Sequence, residues 1–169
     1  TILKHLEKLP KYLDREKENE WNPEIIDKNI SKGFIISRGL GYALSTEISL
    51  KFKELSLELI EPFSSAEVMH GPKTLIDDSL KLFVLNLNDA SGKNVKEGTK
   101  LFKQVSDKIY FINSFEKDRS DFHFKTTEIA EIDSILLMSK FYPMIIKYSM
   151  LKGINPDQPR YLSKITKTL

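Results

Sequence analysis

Apolar residues recur along this chain in two rhythms. Short, nearly unbroken apolar runs occur at residues 33–37 (Gly-Phe-Ile-Ile-Ser), 80–87 (Leu-Lys-Leu-Phe-Val-Leu-Asn-Leu) and 108–113. Each has the length of a strand buried on both faces. Residues 57–62 lead into a further strand, and a short one is expected at the sheet edge over residues 122–126. Between these runs, apolar positions three and four apart predict helices over residues 43–57, 93–106 and 132–152. In the second of these, Val95, Leu101, Phe102 and Val105 should point inward. The third is apolar nearly all round and should be buried, with Phe141-Tyr142-Pro143 able to bend it. Strands that alternate with helices imply a parallel sheet covered on both faces, an α/β, three-layer αβα sandwich of about five strands.

The helix over residues 43–57 carries the most information. At 100° per residue, Leu44, Ile48, Phe52, Leu55 and Leu59 form one apolar stripe, and Ala43, Leu50 and Leu57 a second. Ser45, Ser49, Lys53 and Ser56 then form the expected solvent face. Glu47 and Glu54 fall between the apolar stripes, with Lys51 one turn from each. A partly desolvated carboxylate in such a place becomes a better proton shuttle near neutral pH. On periodicity alone the spacing reads first as a structural Glu–Lys–Glu ion-pair row, since structural pairs perturb pKa too.

The remaining segments frame this helix. Residues 1–20 read as a charged helical region whose one apolar edge is Leu3, Leu6, Leu9 and Leu13, interrupted by Pro10. Trp21-Asn22-Pro23 reads as a turn into a short helix over Ile25, Ile26 and Ile30. Arg38 to Tyr42 is a glycine turn between strand and helix, where backbone N–H groups can face an anion. It lacks the rest of a dinucleotide fingerprint. Ser64 to His70 is a polar loop or short helix, and Gly153 closes the last helix. The tail, residues 154–169, is basic and interrupted by prolines.

Composition narrows the classes. The chain has 169 residues, 26 basic against 24 acidic, so its balance gives no reason to expect a nucleic acid or a membrane surface as partner. It has no cysteine, which excludes disulfides and thiolate metal sites and fits a cytoplasmic location. The opening Thr-Ile-Leu-Lys-His-Leu-Glu does not read as a secretory leader. No His/Asp/Glu group has metal-ligand spacing, so no metal is expected. His5 and His123 have no chemical setting and read as surface residues.

Several motifs carry a resemblance. They are Arg38-Gly39 with Gly41, Ala43-Leu44, Leu50-Lys51, Lys53-Glu54, Ser65-Ala66-Glu67, His70-Gly71-Pro72, Leu75-Ile76-Asp77, and Asn155-Pro156-Asp157-Gln158-Pro159-Arg160 followed by Leu162 and Lys164. In this order they resemble the second domain of the two-domain members of the SIS (sugar isomerase) family, over nearly the whole chain. The resemblance implies a flavodoxin-like sheet. It implies a linker region over residues 1–30, an SIS domain over 31–152 and a tail over 153–169 that folds over the active site. By the same resemblance the chain begins at the linker that follows a first SIS domain, which supplies a Ser/Thr-rich phosphate loop not found here.

The implied chemistry is aldose–ketose isomerisation of a phosphosugar without a cofactor, in the branch that interconverts fructose 6-phosphate and glucosamine 6-phosphate as a synthase module or a deaminase. Glu54 would shuttle the proton and Lys51 would stabilise charge beside it. His70 would open the sugar ring in the neighbouring subunit of a homodimer. Lys164 would hold the open-chain carbonyl as an imine. Ser37, Arg38, Gly39 and Gly41 would line the site. The alternative is a phosphosugar-binding or sensing module without turnover. Lys73, and Ile60-Glu61-Pro62, depart from the usual wording of the family.

Overall fold

The computed structural model describes residues 1–114, 121–158, 160 and 161. Two short helices, α1 (Ile2–Glu7) and α2 (Leu9–Lys17), open the chain. Pro10 stands in the first turn of α2, where its missing N–H costs nothing, so it starts that helix rather than interrupting one. Strand β1 (Lys32–Ser37) leads into α3 (Leu40–Ser56), followed by β2 (Leu59–Ser64), β3 (Lys81–Asn86), α4 (Gly92–Thr99), β4 (Ile109–Asn113), β5 (Phe122–His123) and α5 (Ala130–Leu151).

The five strands are all parallel, in the order β2-β1-β3-β4-β5. This is the flavodoxin-like order, which reverses direction between β1 and β3. Alternation along the strands sends Ile35, Phe83, Leu85, Tyr110 and Ile112 to one face, against α3 and α5. Phe34, Ile36, Leu82, Val84, Ile109 and Phe111 go to the other, against α4 and the segment around Val68 and Ile76. The result is the expected three layers. Gly33 lets β1 approach β3, because a Cβ there would lie 2.2 Å from the Lys81 carbonyl oxygen. Leu9, Tyr12 and Leu13 of α2 pack on the α3/α5 side of the core. Among the described residues no helix is long and apolar enough to cross a membrane.

Three local expectations are corrected. The serines of α3 do not face solvent. Ser45, Ser49 and Ser56 are buried, and Ser49 Oγ donates to the Ile60 carbonyl of β2. Their small side chains let the helix lie close on the sheet. The second apolar stripe is turned outward, with Leu50 and Leu57 exposed. Leu59 stands at the start of β2 and is also exposed. The helix expected over residues 93–106 gives way at Lys100 to a 3-10 turn, Lys100–Gln104. The change of period leaves Val95 and Phe102 buried while Leu101 and Val105 turn to solvent. Helix α5 is buried along one side only, since Ile135, Tyr142, Ile146, Met150 and Leu151 are exposed.

Candidate functional site

The last turns of α3 bring together the charged residues singled out in the sequence. Lys51 Nζ lies 2.7 Å from Glu54 Oε2 and 3.6 Å from Glu47 Oε1. The Tyr142 hydroxyl, from α5, donates to Glu47 Oε1 at 2.9 Å. The side chains of Glu54 and Lys51 are 32% and 23% exposed, so the row is half-buried in the seam between α3 and α5 and open to a reactant. The hydrogen bond to Glu54 holds the Lys51 ammonium above the ordinary lysine range. Lys51 therefore stays charged through neutral pH and keeps a positive group beside the Glu54 carboxylate.

The start of the tail lies against the same seam. Helix α5 ends in a Schellman turn, in which Gly153, at φ 73°, donates to the Met150 carbonyl and Ile154 donates to that of Ser149. The chain then turns back, and Gly153, Ile154, Asn155 and Asp157 form an open cavity of about 600 Å³ with Leu55 and Ile146. Leu55 is the residue after Glu54. Lys164, farther along the tail, lies outside the described residues.

Underneath, the ends of α3 and α5 are tied by a buried polar cluster that sequence reasoning missed. Lys81 Nζ reaches both Glu58 carboxylate oxygens, at 2.8 and 2.7 Å. The Tyr148 hydroxyl donates to Glu58 at 2.8 Å, and Lys152 Nζ donates to Glu58 at 2.5 Å and to the Ser56 carbonyl at 3.0 Å. The side chains of Glu58 and Lys81 have no exposure at all. Burial pushes the Lys81 ammonium below the ordinary lysine range despite Glu58, and pushes the Tyr148 phenol up. The signal in the sequence is Lys81 itself, a lone cation inside Leu80-Lys81-Leu82-Phe83-Val84, which demands a buried anion.

The other candidate residues gather at the opposite edge of the sheet. Helix α3 runs back along the strands, so its first turn lies at their carboxyl ends and Glu54 near their amino ends. From Leu40 to Glu54 the helix rises fourteen times by about 1.5 Å, a span of about 21 Å. At the carboxyl edge Ser37 is buried and its hydroxyl donates to the Leu85 carbonyl at 2.7 Å. Gly39 takes φ 60°, and Gly41 packs so tightly on Ser37 that a Cβ would lie 2.2 Å from its Oγ. Arg38 is exposed, and its carbonyl accepts from Ser91 Oγ at 3.1 Å. Asp89 stands beside this turn, where a Cβ on Gly39 would meet its Oδ2 at 3.2 Å.

His70 belongs to this edge too, since it follows β2. A reciprocal pair places it. Glu67 N–H donates to Ser64 Oγ at 3.0 Å, and Ser64 N–H donates to Glu67 Oε2 at 3.2 Å. The short 3-10 turn Glu67–His70 that follows leaves His70 exposed. Within one chain, the fold thus groups Glu47, Lys51 and Glu54, and it groups Ser37, Arg38, Gly39 and Gly41 on the edge that carries His70. It does not bring the two groups together. Among the described residues no set of His, Asp and Glu side chains could hold a metal ion.

No family model matches the chain. Curated relatives do. The glutamine–fructose-6-phosphate aminotransferase (isomerizing) of Buchnera aphidicola is 31% identical over 148 residues, 83% of this chain and 23% of that protein. That of Methanothermobacter thermautotrophicus is 27% identical over 179 residues, 96% of this chain and 29% of that protein. The chain thus spans about a quarter of the length of these relatives. Among solved structures, a protein described as a phosphosugar isomerase from Silicibacter pomeroyi superposes with TM-score 0.73 at 25% identity, over 90% of this chain and 47% of that one. The C-terminal domain of the Francisella tularensis aminotransferase gives 0.71 at 18% identity, over 92% of this chain and 46% of that one. The shared parallel sheet, its strand order and these relatives make the chain a domain of the sugar isomerase (SIS) kind, related to the C-terminal domain of glutamine–fructose-6-phosphate aminotransferase.

Proposed function

We propose that this chain supplies the proton-transfer half of a phosphosugar aldose–ketose isomerase acting on fructose 6-phosphate and glucosamine 6-phosphate. The observation that carries the reading is the partly buried Glu54–Lys51 pair, whose neighbour Leu55 lines a cavity walled by the start of the tail, in a domain related to aminotransferases that isomerise this class of sugar. With the carbonyl held as an imine, the Glu54 carboxylate takes the proton from one of the two carbons C1 and C2 of the open-chain sugar and returns it to the other, through an enolamine. Lys51, kept cationic, offsets charge that develops next to Glu54. Lys164 forms an imine with the carbonyl, releasing water, and hydrolysis of the imine frees the lysine again.

His70 and the Ser37–Gly41 turn serve a site built with a second copy of the chain, because their edge is a helix length away from Glu54. In this homodimer the histidine of one protomer assists ring opening at the glutamate of the other. The carboxylate of Asp89 beside Gly39 repels a phosphate at the start of α3, although a helix N-terminus otherwise favours one. The substrate phosphate is therefore held elsewhere, and an upstream SIS domain in a longer chain of the cytoplasm fits that need. Residues 1–30 are the linker to it, and residues 153–169 cover the site.

Solvent-deuterium exchange into fructose 6-phosphate and glucosamine 6-phosphate, followed by NMR, tests the reading on this chain and on one extended upstream. The expected result is exchange, with Glu54→Gln lowering it by at least about 100-fold while the fold is kept. Full exchange by a folded Glu54→Gln variant overturns the assignment of Glu54. Binding without exchange by either chain points instead to a sensing module.

A further inference from the structure

A small cavity of about 110 Å³ lies on the face of the sheet away from Glu54, between the ends of β3 and β4 and the α4 segment. Its floor is Val84, Asn86, Phe111 and Asn113. Asn86 is 7% exposed, and its Oδ1 is one of two buried side-chain polar atoms among the described residues that lack a hydrogen-bond partner. An unpaired buried carbonyl of this kind is costly, and water, an ion or a ligand usually explains it. The rim is basic. Lys96, Lys100 and Lys103 line it at successive turns, and Lys103 Nζ sits 4.7 Å from the centre of the Phe111 ring. Among the described residues no carboxylate lies in ion-pair range of Lys100 or Lys103.

We propose that this cavity binds a tetrahedral oxyanion that carries a proton, that is, inorganic hydrogenphosphate or the phosphoryl end of a hydroxylated phosphate ester. The ammonium groups of Lys100 and Lys103 neutralise the anion, and Asn86 Oδ1 accepts from its O–H. The size agrees, since the cavity has room for about four waters. An anion without a proton, such as sulfate, leaves Asn86 Oδ1 unpaired and against a like partial charge. The site is separate from the Glu54 seam and from the Ser37–Gly41 turn, and it does not depend on the proposed isomerisation.

The test is a titration of the whole chain with sodium phosphate, sodium sulfate and glycerol 1-phosphate at constant ionic strength and neutral pH, read by amide and side-chain NMR shifts. Saturable shifts at Asn86, Thr99 and Lys103 with phosphate, at least about tenfold weaker with sulfate, are expected. Glycerol 1-phosphate shifting the same signals identifies a phosphoryl group as sufficient, and its silence identifies free phosphate as the ligand. Lys100→Ala with Lys103→Ala, both exposed and harmless to the core, should weaken phosphate at least about tenfold. Phosphate shifts that are absent or linear, sulfate binding as well as phosphate, or an unaffected double variant each overturn the proposal.

Discussion

Glu58 is the side chain on which the amino-terminal edge of the sheet depends most. Its carboxylate is reached by two lysines and a tyrosine and has no solvent exposure. Replacing it by glutamine leaves Lys81 buried without a full counter-charge, and such a loss costs about 3–5 kcal/mol. Chemical denaturation of Glu58→Gln should show it, and a change within about 0.5 kcal/mol would contradict the description of the cluster. Asp27 offers a pH-dependent contrast near the surface. Its hydrogen bond from Lys108, 2.9 Å long, and a second from the Asn29 N–H hold its carboxyl below the usual aspartate range, and Asp27 in turn raises Lys108. A lowered carboxyl contributes stability above its unfolded pKa, about 3.9, and loses it as pH falls through the folded value. A raised lysine contributes below about 10.4 and loses it as pH rises further. The stability difference between wild type and Asp27→Asn should therefore be present between these limits and close at both ends. A difference independent of pH would contradict the pairing.

Helix α3 shows how an element can contradict its own pattern. Counted by residue type, its serines belong outside and its leucines inside, yet the fold rotates it so that serines meet the sheet. The reason is close approach, because Ser49 is buried against β2 and its hydroxyl donates to the backbone of that strand. Ser49→Leu should cost about 1–3 kcal/mol by overpacking. Leu50→Ser, which removes an exposed leucine, should change stability by less than about 0.5 kcal/mol. The helix also ends on Leu57 in the left-handed region, φ 56°, where glycine is at ease. Leu57→Gly should raise stability by about 1 kcal/mol, and thermal unfolding of the three variants checks the set.

At the scale of the whole molecule, the separation of Glu54 from His70 makes a prediction about mixtures. If one protomer lends its histidine edge to the partner's glutamate, Glu54→Gln and His70→Asn variants are each inactive in deuterium exchange, but a mixed dimer contains one intact site. Mixing equal amounts under conditions of subunit exchange should restore roughly a quarter of wild-type exchange, since half of the dimers are mixed and each has one of two sites. No recovery from a mixture proven to contain mixed dimers would mean that each chain builds its site alone.

The sequence alone determined the alternation of strands and helices, and with it a parallel sheet between two helical layers, because run length and period are local properties. It also placed Lys51 between Glu47 and Glu54, because helix spacing sets that contact. The resemblance at Arg38-Gly39, His70-Gly71-Pro72 and Asn155–Arg160 pointed to the SIS family. Only the tertiary structure decided which side of α3 is inside, because packing on β2 selects small side chains over apolar ones. Only it revealed that Glu58 and Lys81, twenty-three positions apart, share one buried cluster. The direction of α3 against the strands decided that Glu54 and His70 stand at opposite edges, a distance that no local pattern contains.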